Sequence, residues 1–130
     1  MSATVLLVDD ELPILRAAEF KLKRQGFQVF CALNGEEAWA RIQSHCPDIV
    51  VTDCQMPRMN GLELVERIRS CPELVDLPVL MVTAKGYELE RDDLGVIDIV
   101  PKPFSPRELC RRVETALQES ARRRQATLGV

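Results

Sequence analysis

The segment TVLLVDDELP, Thr4–Pro13, places an apolar run directly before three acidic residues. Within it, Val5–Val8 are four consecutive apolar side chains instead of apolar and polar ones in alternation. A strand of this kind is buried on both faces, which favours a parallel sheet covered by helices on each side. Asp9, Asp10 and Glu11 follow at the end of this strand. Because like charges repel, these carboxylates must either lie in water or have a cation among them.

The composition is that of a globular domain. The chain has 130 residues, of which 46% are hydrophobic and 28% charged, and its net charge of -3 gives no positive field that would favour nucleic acid. The sequence has no apolar run near the ~18 residues of a membrane helix and no basic N-terminal region typical of a signal peptide. The five cysteines are odd in number and form no CxxC pair, which argues against a disulfide framework or a zinc site. We therefore predict a cytoplasmic protein with reduced thiols.

Apolar runs of strand length alternate with helical patterns along the chain. The predicted strands are TVLLV, FQVFCA, DIVVTD, PVLMVTA and VIDIV. Apolar residues at helical spacing predict a helix after each strand, and Asn34, Asn60 and Ser105 are suited to be N-caps. The helix after the fourth strand, within Tyr87–Leu94, is polar and has little apolar face. This alternation predicts a doubly wound α/β fold with a five-stranded parallel sheet.

Polar residues with recognisable chemistry come at the ends of four predicted strands. Because the carboxyl ends of parallel strands meet at one edge of the sheet, Asp9, Asp10, Asp53, Thr83 and Lys102 are expected to converge there. Three carboxylates without a neighbouring imidazole or thiolate favour Mg²⁺ or Mn²⁺. Lys102 and Thr83 would bind phosphate oxygens, and Asp53 is a plausible nucleophile that would attack phosphorus to form an aspartyl phosphate.

Four segments, LLVDDE, PDIVVTDCQMPRMNGLEL, PVLMVTAKG and VPKPFSPREL, occur in this order. Together they make Thr4–Glu119 resemble the receiver domain of two-component response regulators. The resemblance implies a flavodoxin-like (βα)5 fold with strand order 2-1-3-4-5. It also implies a receiver domain over residues 1–120, which leaves residues 121–130 as a basic C-terminal tail or linker stub.

The resemblance assigns a role to each carboxylate. Asp53 would accept a phosphoryl group from a sensor histidine kinase or a phosphotransfer protein. Asp10, Asp53 and the backbone carbonyl of Gln55 would bind Mg²⁺ directly, with Asp9 in support.

The remaining implied roles concern residues around the fifth strand. Lys102 would contact the phosphoryl group, Thr83 would move toward it, and the Lys102–Pro103 peptide bond would be cis. At Ile99, three residues before the lysine, the family usually has a Tyr or Phe that swings inward with the threonine. Isoleucine cannot make that aromatic rotation. The interval between Thr83 and Lys102 is also shorter than is usual in the family, which predicts a short, shifted or irregular fourth helix.

The leading hypothesis is a phosphorylation-controlled signalling switch. It would catalyse only its own phosphorylation and dephosphorylation, and it would change the surface of strands four and five to regulate a downstream protein or output domain. We also consider a homodimer through the fourth helix, fifth strand and fifth helix, and we expect no direct nucleic-acid or membrane partner.

Two alternative functions stay open. One is a pseudo-receiver that docks partners without phosphorylation, which Ile99 and the short fourth helix favour. The other is a phosphatase of the haloacid dehalogenase type. It is disfavoured because Gln55 stands where such an enzyme needs a second acid.

Four conspicuous features are interpreted as structural. Glu11 is assigned to the N-terminus of the first helix, where acids are favourable. Cys54 is expected to be a buried, inert thiol and His45 a surface residue at a helix end. The run Arg122–Arg124 is interpreted as the solvated end of the last helix or a linker.

Overall fold

The structure is a computed structural model that describes residues 3–84 and 95–128. The described residues form five strands and four α-helices. In chain order these are β1 (Thr4–Val8), α1 (Leu12–Arg24), β2 (Gln28–Ala32), α2 (Gly35–His45), β3 (Ile49–Asp53), α3 (Gly61–Arg69), β4 (Val79–Thr83), β5 (Asp98–Pro101) and α4 (Pro106–Leu128), with a single 3-10 turn at Pro72–Leu74. The helix predicted within Tyr87–Leu94 lies outside the described residues.

The sheet is parallel throughout, and its strand order is β2-β1-β3-β4-β5. This confirms the predicted topology. β5 pairs with β4 at one edge, where Pro101 lies opposite Thr83. Proline has no N–H to donate to a further strand, so an edge is the position in a sheet that tolerates it.

Successive residues of β1 point to opposite faces of the sheet, and each face has its own apolar core. Val5 and Leu7 pack with α1 and α4, whereas Leu6 and Val8 pack with α2 and α3. All four side chains are at most 2% exposed. Burying such side chains stabilises the fold by roughly 1.5–3 kcal/mol each. The sheet therefore forms a rigid layer whose carboxyl edge is left to carry polar residues.

Side-chain caps fix the starts of α2 and α3. Asn60 and Glu63 form a full capping box, with bonds of 2.9 and 3.1 Å to each other's backbone N–H. Asn34 likewise accepts from the backbone N–H of Glu37 at 2.9 Å. The start of α2 has no complete capping box, however, because the Glu37 carboxylate accepts from the backbone N–H of Leu33 instead of Asn34.

The C-terminal helix α4 extends past residue 120, the predicted end of the domain. It begins after Ser105, whose hydroxyl accepts the backbone N–H of Glu108 at 3.0 Å, as predicted for an N-cap. It continues to Leu128, so the arginines of Arg122–Arg124 lie on exposed helical turns. The domain boundary at residue 120 stays a prediction. Among the described helices, none combines the length and the apolar character that a membrane span requires.

Candidate functional site

The carboxyl edge of the sheet brings the predicted site residues together. Asp53 is the last residue of β3 and Thr83 the last of β4, while Asp9 and Lys102 directly follow β1 and β5. These four strands are neighbours in the order β1-β3-β4-β5. Residues that are up to 93 positions apart in the chain thus meet at one edge, as the strand pattern predicted.

Four carboxylates form a compact cluster at this edge. Asp9, Asp10, Glu11 and Asp53 each offer one oxygen atom, and these atoms lie within 4.8 Å of one another. Asp9 and Asp53 are buried, whereas Asp10 and Glu11 are exposed. The cluster is therefore anchored in the core on one side and open to solvent on the other.

Among the residues that the structure describes, Lys102 brings positive charge to the cluster. Its Nζ lies 3.1 Å from Asp53 Oδ2, 3.0 Å from Glu11 Oε1 and 3.4 Å from Asp9 Oδ2. Burial by itself would lower the pKa of Lys102, but its hydrogen bonds to Glu11 and Asp53 and the negative charge of Asp9 outweigh burial and raise the pKa. Lys102 is consequently a permanent positive charge at the site.

At Asp9, in contrast, the effect of burial on the pKa outweighs the favourable interactions of the carboxylate. Burial raises the pKa of its carboxyl, and the charge of Asp53 adds to that effect. The backbone N–H of Glu11, which donates to Asp9 Oδ1 at 2.9 Å, and the ammonium group of Lys102 compensate only in part. Negative charge at this position is thus costly, and a further cation would stabilise it.

The loop after β3 holds Asp53 closely in place. The backbone N–H of Gly61 donates to the carbonyl of Cys54 at 3.0 Å, and the N–H of Cys54 donates to Val82 of β4 at 2.8 Å. A Cβ atom at Gly61 would lie 2.2 Å from the carbonyl oxygen of Asp53, so this close approach requires glycine. Helix α3 therefore starts in direct contact with the backbone of Asp53.

Thr83 lies at the same edge, but its hydroxyl has a local partner. The side chain is buried, and its Oγ1 donates to the carbonyl of Ala84 at 3.3 Å. The backbone carbonyl of Thr83 accepts the N–H of Lys102 at 2.8 Å, which ties the lysine to the end of β4. A move of the hydroxyl toward a phosphoryl group stays a prediction.

The structure also describes three other positions that the sequence singled out. Gln55 is exposed in the loop two residues after Asp53, and the role of its carbonyl as a metal ligand stays a prediction. Ile99 is half-buried and packs against the core on the α2 and α3 face. The Lys102–Pro103 peptide bond is cis, as the resemblance implies.

Glu11 is the site residue that the sequence interpretation missed. It stands at the N-cap of α1 as predicted, but its side chain makes no capping bond. Its carboxylate instead accepts from Lys102, which is 91 residues away in the chain. The sequence signal for a role of Glu11 at the site was its position next to Asp9 and Asp10. The direction of its side chain could not be predicted, because its partner Lys102 is positioned by the end of β5.

The donor set fits a hard divalent cation. The cluster consists of carboxylates, and oxygen is the preferred ligand of Mg²⁺ and Mn²⁺. The neighbouring Cys54 points into the core, where burial, and then the charge of Asp53, raise the pKa of its thiol. It is therefore neither a suitable metal ligand nor a reactive nucleophile, as expected. Asp9, Asp10 and Asp53 are the residues that would hold the ion.

Comparison with known families gives one match over most of the chain. Residues 5–114 match the response regulator receiver domain. This range includes all four carboxylates of the cluster and Lys102.

Several solved structures share the fold. A protein assigned as a response regulator in Chloroflexus aurantiacus is 35% identical, with a TM-score of 0.84 over 91% of this chain and 99% of that chain. The chemotaxis protein CheY4 of Vibrio cholerae is 29% identical, with a TM-score of 0.81 over 89% of this chain and 99% of its own. NtrX of Brucella abortus is 28% identical, with a TM-score of 0.84 over 98% of this chain but only 29% of the NtrX chain.

Proposed function

Because this chain belongs to the response regulator receiver domain family, we propose that it is a signalling switch that accepts a phosphoryl group on Asp53 in a magnesium-dependent reaction. The observation that carries the proposal is the placement of the Asp53 carboxylate. It is buried within the acidic cluster, and its Oδ2 accepts from Lys102 at 3.1 Å.

The proposed reaction is a phosphoryl transfer from a phosphohistidine of a sensor kinase or phosphotransfer protein. A carboxylate oxygen of Asp53 attacks phosphorus and forms an O–P bond. The N–P bond to the imidazole breaks, and the imidazole leaves with the electron pair and takes up a proton. Asp53 is suited to this step because the bonds around Gly61 and Cys54 hold its backbone in a fixed position.

The other residues stabilise charge that develops during the transfer. Lys102 carries a permanent positive charge that would interact with a phosphoryl oxygen. Thr83 would offer a hydroxyl at the end of β4. A magnesium ion held by Asp9, Asp10, Asp53 and the Gln55 carbonyl would neutralise negative charge on the phosphoryl group.

The proposed activity is limited to the chain itself. It would catalyse its own phosphorylation and dephosphorylation without turning over an external substrate, since Gln55 stands where a phosphatase of the haloacid dehalogenase type needs an acid. We place this activity in the cytoplasm, where a sensor kinase would deliver the phosphoryl group.

The output surface would be that of β4 and β5; every residue of β4 is buried, so the accessible part of this surface lies on β5. On β5, Asp98 pairs with Arg112 of α4 at 2.8 Å and so fastens the last helix to the edge strand. Ile99 lies next to this pair and is half-buried. A change in this surface would regulate a downstream protein, an output domain or a second copy of the chain.

A pseudo-receiver is the second candidate function, and Ile99 favours it. The side chain packs against the core of the α2 and α3 face and offers neither an aromatic ring nor a hydroxyl to couple with Thr83. In that case β5 and α4 would dock a partner constitutively, without phosphorylation.

Intact-mass spectrometry after incubation with acetyl phosphate tests the proposal. We expect one phosphoryl adduct on the wild-type chain that requires Mg²⁺ and is absent from Asp53→Asn. Asp76→Asn, at an exposed aspartate in the loop before β4, is the matched control and should be modified like the wild type. An adduct on Asp53→Asn would place the phosphoryl group elsewhere, and the lack of any adduct on the wild type would favour the pseudo-receiver.

A further inference from the structure

The ammonium group of Lys102 lies among three carboxylates: it donates hydrogen bonds to Glu11 and Asp53 and forms an ion pair with Asp9. An ammonium group offers three N–H donors and no acceptor. Three carboxylates, those of Asp9, Glu11 and Asp53, lie within 3.4 Å of its Nζ. A phosphoryl oxygen that approaches Asp53 would therefore compete with these carboxylates for the ammonium group.

The three partners differ in how easily they are released. The side chains of Asp9 and Asp53 are only 9% and 6% exposed, so neither has much access to water as a substitute partner. The side chain of Glu11 is 57% exposed. A carboxylate that returns to water recovers its hydration, whereas a buried one that loses its cation does not. Glu11 is thus the partner that is released at the lowest cost.

The hydrogen bonds at the start of α1 also allow the Glu11 side chain to be released. It is the N-cap of α1, but its side chain forms no capping hydrogen bond. Its backbone N–H remains bound to Asp9 Oδ1 at 2.9 Å, whatever the side chain does. The carboxylate of Glu11 can therefore leave Lys102 without loss of a cap or of the loop geometry.

We propose that Glu11 is a positioning residue. Its carboxylate binds the ammonium group of Lys102 where a phosphoryl oxygen would bind, and it releases Lys102 when Asp53 is phosphorylated. The inference rests on the proposed function. Its consequence is that Glu11 competes with phosphorylation, because the incoming negative phosphoryl group must displace a negative carboxylate from the same cation.

The test is the initial rate at which acetyl phosphate modifies Asp53 at saturating Mg²⁺. In this reaction a carboxylate oxygen of Asp53 bonds to phosphorus, and acetate leaves with the electron pair of the broken P–O bond. We expect Glu11→Gln to react about two- to five-fold faster than the wild type, the range typical of losing one partly exposed ion pair. Glu11→Asp keeps the charge on a shorter side chain, so its rate should lie between the two.

Two controls separate this role from a general effect of charge. Glu36→Gln removes the same charge from the first turn of α2, where the carboxylate lies 3.7 Å from Arg58 and not beside Lys102, and it should react like the wild type. In a Lys102→Ala background, Glu11→Gln should have no further effect, because Glu11 acts through the lysine. A role of Glu11 as a metal ligand or a simple repulsive charge would persist in that background.

The outcomes separate this inference from the proposed function. Equal rates for the wild type and Glu11→Gln, or an acceleration that persists without Lys102, would overturn the role of Glu11 and leave Asp53 as the phosphoacceptor. A wild-type chain that takes up no phosphate would overturn both.

Discussion

At the scale of single residues, negative charge dominates the site: within residues 3–84 and 95–128, four carboxylates lie together and Lys102 is the cation that contacts them. Two of the carboxylates, those of Asp9 and Asp53, are buried, and the neighbouring Lys102 is itself only 16% exposed. Burial makes an uncompensated charge costly, so Lys102 contributes to folding as well as to the proposed chemistry. Burial raises the pKa of Asp9, and the backbone N–H of Glu11 and the ammonium group of Lys102 compensate that effect only in part.

Lys102→Ala tests this balance. In the presence of a chelator, we expect the variant to lose about 1–3 kcal/mol of unfolding free energy, because two buried carboxylates lose their cation. Mg²⁺ should restore most of the loss, since it supplies positive charge to the same oxygens. Chemical denaturation with and without Mg²⁺ measures both effects.

The matched control is Lys23→Ala, at a 56% exposed lysine that pairs with Glu19 at 3.0 Å. We expect a loss below about 1 kcal/mol, which Mg²⁺ should not change, because exposed pairs contribute little. Equal losses for the two lysines would contradict the compensating role of Lys102.

At the scale of secondary-structure elements, helix α3 is the support of the phosphoacceptor. Its capping box at Asn60 and Glu63 fixes where the helix begins, and Gly61 then packs on the backbone of Asp53. The helix start and the end of β3 thus form one rigid unit. A change at this contact should affect the site through backbone position and not through charge.

Gly61→Ala is the corresponding test. The added methyl group would lie 2.2 Å from the Asp53 carbonyl oxygen, so the backbone has to shift. We expect a loss of about 1–3 kcal/mol of unfolding free energy, as is typical of overpacking, together with a lower rate of phosphoryl uptake. Thermal or urea unfolding and the acetyl phosphate assay measure the two effects.

Gly35→Ala provides the control for Gly61→Ala. Its methyl group would lie 2.2 Å from the carbonyl oxygen of Met59, at the far end of the same loop. The loss of stability should be similar, but phosphoryl uptake by the folded protein should fall less. If both variants lost phosphoryl uptake to the same degree, the direct support of Asp53 by α3 would be wrong.

At the scale of the whole molecule, two apolar cores hold a sheet whose carboxyl edge collects charge from distant parts of the chain. The two cores contain apolar side chains from all five strands. Helices α1 and α4 cover one face of the sheet, and helices α2 and α3 cover the other. The folded state alone brings the four carboxylates within 4.8 Å of one another. A divalent cation that binds this cluster should therefore stabilise the fold.

Mg²⁺ should raise the free energy of unfolding by mass action. One site that is present only in the folded state gives about 2.7 kcal/mol at a concentration one hundred times Kd. We expect Asp10→Asn to weaken this dependence, whereas Glu36→Gln, outside the cluster, should retain it. Urea titrations at several Mg²⁺ concentrations measure the effect. A wild-type stability that is independent of Mg²⁺ would contradict the metal site.

The parallel α/β fold and the expectation that charged residues meet at one edge follow from the pattern of residues along the chain. Consecutive apolar residues in β1 and β3 require burial on both faces, and the ends of parallel strands meet at one edge. That is why Asp9, Asp53 and Lys102 could be placed together before their positions were known. The cap at Asn60 was equally predictable, because its hydrogen bonds are local in sequence.

The set of side chains that share Lys102 depends on contacts between residues that are far apart in the chain. The local pattern assigned Glu11 to a helix start, but the end of β5 offers its carboxylate a cation 91 residues away. Side-chain direction depends on packing between elements, and a long-range ion pair can override a weak local preference, so these partners follow from the assembled sheet and not from spacing along the chain.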